Sequence, residues 1–331
     1  MLLHRNSKQM VALISGYLLF FACRSTTPGT TASGVAVPDS TPYLVVLGIA
    51  QDAGFPQANC QKECCVPAWT DPGRRRFVSC LGLVDPKSGS RWLFDATPDF
   101  PDQLHLLDTL DPRTAGTISG IFLTHAHIGH YTGLMHLGRE AMGAQQIPVY
   151  AMPRMDTFLR TNGPWDQLVR LENIQLESLN AGVPVVLNEK IQVRPILVPH
   201  RDEYSETVGF YLITSQKKIL YIPDIDKWNR WDQHLPALLE DVDLAFLDGT
   251  FFANGEIPNR DMSEIPHPFI METIDLLSDL PAESKQKIYF IHLNHTNPTI
   301  QPGSSARQTV QAAGMHLATQ GQIINLGDSF Q

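Results

Sequence analysis

The sequence predicts a layered α/β domain, and three observations support this prediction. From residue 43 onward, short runs rich in β-branched and aromatic residues alternate with segments of helical periodicity. The alternation continues through a second half of similar organisation, without a short repeating unit of the solenoid type. The composition, 43% hydrophobic and 18% charged over 331 residues, is ordinary for a globular protein with one large core. Mixed strands and helices of this kind are typical of layered α/β architectures.

The predicted strands are short apolar runs bounded by polar residues, glycine or proline. They are expected at Tyr43–Ile49, Phe77–Val84, Arg91–Asp95, Ile118–Thr124, Lys190–Val198, Val208–Thr214, Lys218–Ile222, Leu244–Leu247 and Ile288–Ile291. In the predicted helices, apolar residues recur every three or four positions. They are expected at Phe100–Leu110, His130–Glu140, Trp231–Glu240, Phe269–Ser278 and Ser304–Ala313. Gly314, directly after the last of them, is a typical C-terminal capping residue.

The N-terminal segment has the pattern of an export signal. Several basic residues precede the apolar run Met10–Ala22, which is too short to span a bilayer comfortably, and Cys23 follows it directly. This arrangement is similar to a bacterial lipoprotein signal in which Cys23 becomes the lipidated first residue of the mature chain. We therefore expect an exported, membrane-anchored lipoprotein, in the periplasm or at the outer membrane. The alternative is a plain cleaved secretory signal and a soluble periplasmic protein.

Composition also sets the predicted domain boundaries and the class of partner. Residues 1–22 are the expected signal peptide, and residues 23–40, rich in Thr, Ser, Pro and Gly, the expected flexible tether. Residues 41–331 are the expected folded domain. The net charge of −9 and the scattered basic residues argue against a nucleic-acid partner. We therefore expect a small-molecule substrate, while the sequence predicts no particular oligomeric state.

The most informative motif is the His-Ala-His-Ile-Gly-His run of residues 125–130, which follows a predicted strand. Three histidines this close can point to one place only if the backbone turns between them, as where a strand leads into a helix. Neutral imidazoles suit zinc and its neighbouring transition metals. The spacing therefore predicts a metal centre rather than three solvated loop histidines.

Three further candidate ligands also come at the ends of predicted strands, where loops build binding sites. His200 comes after the strand that ends at Val198, Asp224 follows Lys218–Ile222, and His292 follows Ile288–Ile291. Taken singly, each is equally consistent with an ordinary core or loop residue.

The histidine run resembles the His-x-His-x-Asp-His signature of the metallo-β-lactamase superfamily, and the three later candidates occur in that family's order and contexts. The resemblance implies an αββα sandwich with metal at the edge where the two sheets meet. The implied ligands are His125, His127 and His200 for one ion and His130, Asp224 and His292 for a second, with Asp224 bridging both. Asp95 is implied to orient ligands from a buried position rather than to bind metal.

Gly129 departs from the signature, because it stands where the family has its aspartate. The departure predicts a second metal site that lacks one carboxylate and binds its ion more weakly. A glycine here would also be explained by a positive φ, at which an aspartate would be strained.

Other segments narrow the resemblance to one branch of the superfamily. Gly54–Cys60, Arg91–Leu93 and Ile291–Pro298 are similar to pyrroloquinoline quinone biosynthesis protein B. The layout is shared with the phosphodiesterase of the bacterial phosphonate-degradation pathway. The biosynthesis protein typically lacks the first two histidines of the signature, whereas this chain keeps them, as the hydrolases do.

Both of these relatives carry a cysteine group that binds structural zinc. The implied counterparts are Cys60, Cys64 and Cys65, with His295 as the fourth ligand. Lys62 stands at the family's middle cysteine position, so Cys64 is expected to take that role. A disulfide between Cys60 and Cys64 or Cys65 is the alternative in an oxidising compartment, whereas the preference of zinc for thiolates favours the metal site.

The resemblance implies a metal-dependent hydrolase that acts on a phosphodiester or small ester through a metal-activated water. Zinc is the expected metal, with one or two active-site ions, manganese or iron as alternatives, and one structural zinc. Asp224 would orient the nucleophile, and His267 would act as general acid, as in the phosphodiesterase. The alternatives are an oxidative enzyme like the quinone biosynthesis protein and a non-catalytic metal-binding lipoprotein.

Overall fold

In the computed structural model, which describes residues 37–327, the chain forms two seven-stranded sheets flanked by helices. The predicted signal peptide, the lipidation site Cys23 and most of the predicted tether lie outside these residues. Across 37–327, no helix is both long enough and apolar enough to cross a membrane.

The elements follow one another in a mixed order of strands and short helices. The strands are β1 Tyr43–Gly48, β2 Cys80–Asp85, β3 Ser90–Phe94, β4 Gly120–Phe122, β5 Ile147–Ala151, β6 Ile174–Ser178, β7 Val185–Asn188, β8 Ile191–Leu197, β9 Val208–Ile213, β10 Lys218–Ile222, β11 Leu244–Asp248, β12 Ile288–Ile291, β13 His316–Leu317 and β14 Ile323–Asn325. The α-helices are α1 Val66–Thr70, α2 Phe100–Leu110, α3 Ile128–Tyr131, α4 Pro153–Thr161, α5 Trp165–Arg170, α6 Leu235–Glu240, α7 Ile270–Leu276, α8 Ala282–Lys285 and α9 Ser305–Ala312.

Each sheet is antiparallel on one side and parallel on the other. The first has the order β14-β1-β2-β3-β4-β5-β6, and the second β13-β12-β11-β10-β9-β8-β7. Strands β3 to β6 are parallel to one another, and so are strands β10 to β13. Parallel strands end at the same edge of a sheet, and ligands bind beyond those carboxyl ends. The loops after β3, β4, β10, β11 and β12 carry most of the site described below.

An aromatic cluster holds the two sheets together beneath this edge. Phe94 of β3 stacks on Phe122 of β4, with ring centroids 5.2 Å apart. From the second sheet, Phe210 of β9 and Tyr221 of β10 approach Phe94 at 5.6 and 6.1 Å. All four side chains are fully buried. The cluster supports the loops that follow β3, β4 and β10, because those loops begin within three residues of it.

The helix predicted from Trp231 begins at Leu235. Two further predicted elements differ from the structure for identifiable reasons. The helix predicted over His130–Glu140 is one α-helical turn followed by a 3-10 helix, because the Gly133 N–H donates to the Ala96 carbonyl instead of continuing the α-helix. The strand predicted from Phe77 begins at Cys80. The Phe77 and Val78 N–H groups donate to the side chains of Gln320 and Asp99, so they are not available to a sheet.

Candidate metal centre

Strand ends from both sheets bring the predicted active-site ligands to one place. They form two groups, in each of which the ligand atoms lie within 4.8 Å of one another: His125, His127, His200 and Asp224 in the first, and Asp52, His130, Asp224 and His292 in the second. Asp224 belongs to both groups. The structure therefore assembles all six residues of the predicted constellation and adds Asp52.

The Asp224 carboxylate lies between the two groups. Its Oδ2 is 3.2 Å from Nε2 of His200 and 3.3 Å from Nε2 of His125, both of the first group. The same oxygen is 3.8 and 4.0 Å from Nε2 of His130 and His292. Burial raises the pKa of the Asp224 carboxyl, but the neighbouring histidines outweigh burial and hold this pKa well below its usual range. An ionised carboxylate in this position is able to bridge two cations.

Buried polar atoms without a hydrogen-bond partner indicate whether these residues fit a metal ion. Of the eleven buried side-chain atoms in the described residues that lack a hydrogen-bond partner, eight lie at this site. They are Asp52 Oδ1, His125 Nε2, His127 Nδ1, His130 Nε2, both ring nitrogens of His200, Asp224 Oδ1 and His292 Nε2. Each such atom costs about 1–3 kcal/mol if nothing pairs with it. Imidazole and carboxylate donors suit zinc, iron and manganese, so the residues fit a metal centre.

Asp95 orients two of the histidine rings in the first sheet. Its Oδ1 accepts from the Thr124 N–H at 2.8 Å and from the Thr124 hydroxyl at 2.9 Å, and its Oδ2 accepts from His130 Nδ1 at 2.7 Å. The Thr124 hydroxyl, which already donates to Asp95, lies 3.0 Å from His125 Nδ1 and accepts a hydrogen bond from its N–H. Both rings thus keep Nε2 free to face the centre. Burial lowers the pKa of His125 well below its usual value, which keeps this ring neutral, the form that binds metal.

Asp248 repeats the same arrangement in the second sheet. Its Oδ1 accepts from the N–H and the hydroxyl of Thr250 at 2.8 and 2.7 Å, and its Oδ2 accepts from His267 Nδ1 at 2.8 Å. The Thr250 hydroxyl in turn lies 2.8 Å from His292 Nδ1. Asp95 and His292 both have left-handed φ angles, 75° and 66°, at the sharp turns after β3 and β12. The sequence interpretation missed Asp248, although it follows a buried strand as the predicted ligands do.

His267 lies beside the metal-facing residues. Its Nδ1 is 3.2 Å from Asp224 Oδ1, and its ring centroid is 5.4 Å from that of His200. Burial lowers the pKa of His267, but the carboxylates of Asp248 and Asp224 outweigh burial and raise it to about 9.

Asp52, in the loop after β1, was not predicted. Its Oδ1 is 3.1 Å from His130 Nε2 and 3.6 Å from His292 Nε2. The second group therefore contains a carboxylate besides that of Asp224, which the departure at Gly129 did not lead us to expect. Gly129 is also not one of the glycines with positive φ in the structure. A polar residue after an apolar strand was the available sequence signal for Asp52.

The predicted cysteine group forms a second candidate metal centre. The ligand atoms of Cys60, Cys64, Cys65 and His295 lie within 4.8 Å of one another. The four cysteines within residues 37–327 are free thiols, so the disulfide alternative does not occur in the structure. Lys62 is exposed, and the adjacent Cys64 and Cys65 both belong to the group. Three thiols and one imidazole are a typical structural zinc ligand set.

Comparison with known proteins finds a matching family and several named relatives. Residues 90–293 match the family described as "Beta-lactamase superfamily domain". Coenzyme PQQ synthesis protein B of Nitrosococcus oceani is 28% identical over 317 residues, covering 85% of this chain and 99% of that protein. The protein of the same name from Xanthomonas oryzae is 27% identical over 308 residues, covering 86% and 99%.

Solved structures share the fold over most of the chain. Zn²⁺-bound PqqB from Methylobacterium extorquens has a TM-score of 0.72 and 23% identity, covering 86% of this chain and 100% of that one. A diphosphatase from the PhnP family has a TM-score of 0.62 and 22% identity, covering 86% and 96%.

Proposed function

Because the chain belongs to the metallo-β-lactamase superfamily, in the branch of PQQ synthesis protein B, we propose that it is a metal-dependent hydrolase of a phosphodiester or small ester. The two mixed sheets flanked by helices, together with the solved neighbours, confirm the predicted αββα sandwich. The observation that carries the proposal is the convergence of eight buried, unpaired ligand atoms from the strand ends of both sheets.

The residues that would hold the ions follow from the two groups. His125, His127 and His200 would hold one ion and His130 and His292 the other, with Asp224 between them. When bound, the metal would polarise the substrate and lower the pKa of a water molecule. Zinc is the metal we propose, since imidazole ligands suit it and the PqqB of Methylobacterium extorquens binds Zn²⁺.

His267 would move a proton during hydrolysis. Its Nδ1 is held by the Asp248 carboxylate at 2.8 Å, which fixes the tautomer and leaves Nε2 to hold and release a proton. The Asp224 carboxylate, 3.2 Å from the same ring, would orient the attacking water. With these roles for His267 and Asp224, hydrolysis needs no serine or cysteine nucleophile.

A second candidate function is an oxidation like that of the quinone biosynthesis proteins. It is favoured by the relatives named coenzyme PQQ synthesis protein B, which align over 99% of their own length. The histidine and carboxylate donors also suit iron, which such an oxidation with oxygen would use. Oxygen uptake by the iron-loaded protein with a tyrosine-derived precursor would support this function against hydrolysis.

The experiment that tests the hydrolase compares the parent chain with His127→Ala and, as a matched control, His105→Ala. His105 is exposed on α2, away from the site. We expect His127→Ala to lose metal from the first group and to cleave a bis(p-nitrophenyl) phosphate or p-nitrophenyl ester probe on the order of 100-fold more slowly. Metal content and thermal melting are measured on the same samples. Parent-level hydrolysis by His127→Ala, or tight metal without turnover in the parent, would contradict the proposal.

A further inference from the structure

Gly129 lies in van der Waals contact with Asp52. A Cβ built at Gly129 would be 2.4 Å from Asp52 Oδ1, 2.5 Å from Asp52 Cα and 2.9 Å from Asp52 Cβ. Protein interiors are close-packed and leave no room for such overlaps. The turn that carries His130 can therefore lie against Asp52 only because residue 129 has no side chain. The Asp52 residue occupies the volume into which an aspartate at 129 would project.

The Asp52 carboxylate is directed at the second group of ligands. Oδ2 accepts a hydrogen bond from the Gln51 amide at 3.3 Å, whereas Oδ1 has no hydrogen-bond partner within the described residues. That unpaired oxygen lies 3.1 Å from His130 Nε2 and 3.6 Å from His292 Nε2. Both nitrogens are themselves unpaired. Three potential ligand atoms without a hydrogen-bond partner, Asp52 Oδ1, His130 Nε2 and His292 Nε2, thus face one another.

The main chain holds Asp52 and His292 together. The Gln51 N–H donates to the Leu293 carbonyl at 2.9 Å, and the Leu293 N–H donates to the Ile49 carbonyl at 2.7 Å. These two bonds join the loop after β1 in the first sheet to the loop after β12 in the second. The residues next to both ligands are therefore fixed, and Asp52 is preorganised for binding rather than free to turn into solvent.

We propose that Asp52 is a ligand of the second ion and supplies, from the loop after β1, the carboxylate that the histidine run lacks at Gly129. The second group then has two carboxylates and two imidazoles, a complete four-donor set for a transition metal. The two residues act together: Gly129 leaves the space that Asp52 occupies, and the Asp52 carboxylate takes the place of the missing ligand. This inference rests on the proposed metal centre and replaces the expectation of a weak second site.

The test counts ions, so it does not depend on activity. Parent, Asp52→Asn and the control Asp102→Asn, an exposed position on α2, are loaded with zinc. Zinc per chain is measured by plasma mass spectrometry, and affinity by chelator competition. We expect Asp52→Asn to lose one zinc per chain, or to bind it at least tenfold more weakly, while the control keeps the parent value. The zinc of the cysteine group is the same in all three.

A second variant tests the contact between Gly129 and Asp52 from the side of the glycine. Gly129→Ala keeps the Asp52 carboxylate but forces it away from the histidines, so it should lose the same ion. The Co²⁺-loaded forms of both variants should show the same change in visible absorption. If the parent binds two active-site ions and neither variant alters them, the role of Asp52 is refuted and the proposed function stands. If the parent binds zinc at the cysteine group alone, the proposed function fails too.

Discussion

At the residue scale, the two sheets use one arrangement twice. In each, an aspartate binds a threonine through one carboxylate oxygen and a histidine Nδ1 through the other, and the threonine hydroxyl contacts a second histidine. The aspartates, Asp95 and Asp248, are both fully buried. A ring that is hydrogen-bonded through Nδ1 presents Nε2 in a fixed direction, so Nε2 is preorganised to bind a metal or to carry a proton.

The first prediction removes one of these hydroxyls. Thr124→Val keeps the shape of the side chain but leaves His125 Nδ1 without its partner at 3.0 Å. We expect the affinity for zinc at the first group to fall by about 10–100-fold. The control is Thr109→Val, whose hydroxyl contacts only the His105 carbonyl within α2. Competition with a zinc-binding dye measures both variants, and equal affinities would show that the hydroxyl does not orient the ring.

Sequence patterns located most of the site because its residues follow apolar strands. The histidine run, His200, Asp224 and His292 all come just after such strands, and the structure brings them together. Asp248 follows the same rule and was overlooked. Asp52 also comes after an apolar strand, but this signal does not show that it faces the histidines. Its position depends on a close approach to Gly129, 77 positions away in sequence, which no local pattern encodes.

At the element scale, the segment between β11 and α7 carries His267 and packs on a small apolar cluster of its own. That cluster contains Phe251, Met262, Ile265 and Phe269. Glu256 in this segment accepts from the Phe252 N–H at 2.7 Å and from the Thr296 hydroxyl. Burial raises the pKa of the Glu256 carboxyl from 4.5 to about 7. The segment is therefore tied to the loop after β12 by a carboxyl group that titrates near neutral pH.

The second prediction concerns this carboxyl. A folded-state pKa raised from 4.5 to about 7 means that the fold prefers the protonated form. Its contribution to stability is then full below pH 4.5 and is lost as the pH rises to about 7. The glutamine of Glu256→Gln does not titrate. As the pH rises from 5 to 8, we therefore expect the unfolding free energy of this variant to increase by on the order of 2 kcal/mol relative to that of the parent.

The measurement is urea unfolding of the zinc-saturated proteins at both pH values. Glu264→Gln, an exposed change in the same segment, should show no such gain. If the difference between Glu256→Gln and the parent is the same at pH 5 and pH 8, this carboxyl does not titrate as described.

Several elements with a buried face were predicted, although α4 and β5, which also bury residues, were not. The bounds of α2, Phe100–Leu110, are those expected from its periodicity. No strand was predicted between residues 141 and 189, where β5, β6 and β7 lie. β6 and β7 are edge strands of the two sheets and are half-exposed, so their residues carry a weak apolar pattern. Pairing with a neighbour, rather than local sequence, determines these strands.

At the scale of the whole molecule, the site depends on how the two sheets meet. The layered α/β class followed from the alternation of elements, but the order of strands within each sheet did not, because it is set by contacts between distant residues. β14, near the end of the described chain, pairs with β1, for example, with Tyr43 opposite Asn325. The aromatic cluster of Phe94, Phe122, Phe210 and Tyr221 is the part of this interface directly beneath the metal-facing loops.

The last prediction tests that interface. Phe94→Ala would leave a cavity in contact with rings from both sheets, and a buried Phe→Ala change costs about 3–5 kcal/mol of unfolding free energy. Asp95 follows Phe94 directly and has a left-handed φ of 75°. Loss of the packing beneath Asp95 should therefore also weaken its hydrogen bond to His130 Nδ1 and lower the affinity for zinc. Urea unfolding of the zinc-saturated protein measures stability, with Val186→Ala, 64% exposed on β7, as the control. That control should change stability by less than about 0.5 kcal/mol. A loss near 1 kcal/mol for Phe94→Ala, with unchanged zinc affinity, would show that the sheets do not depend on this cluster to position the site.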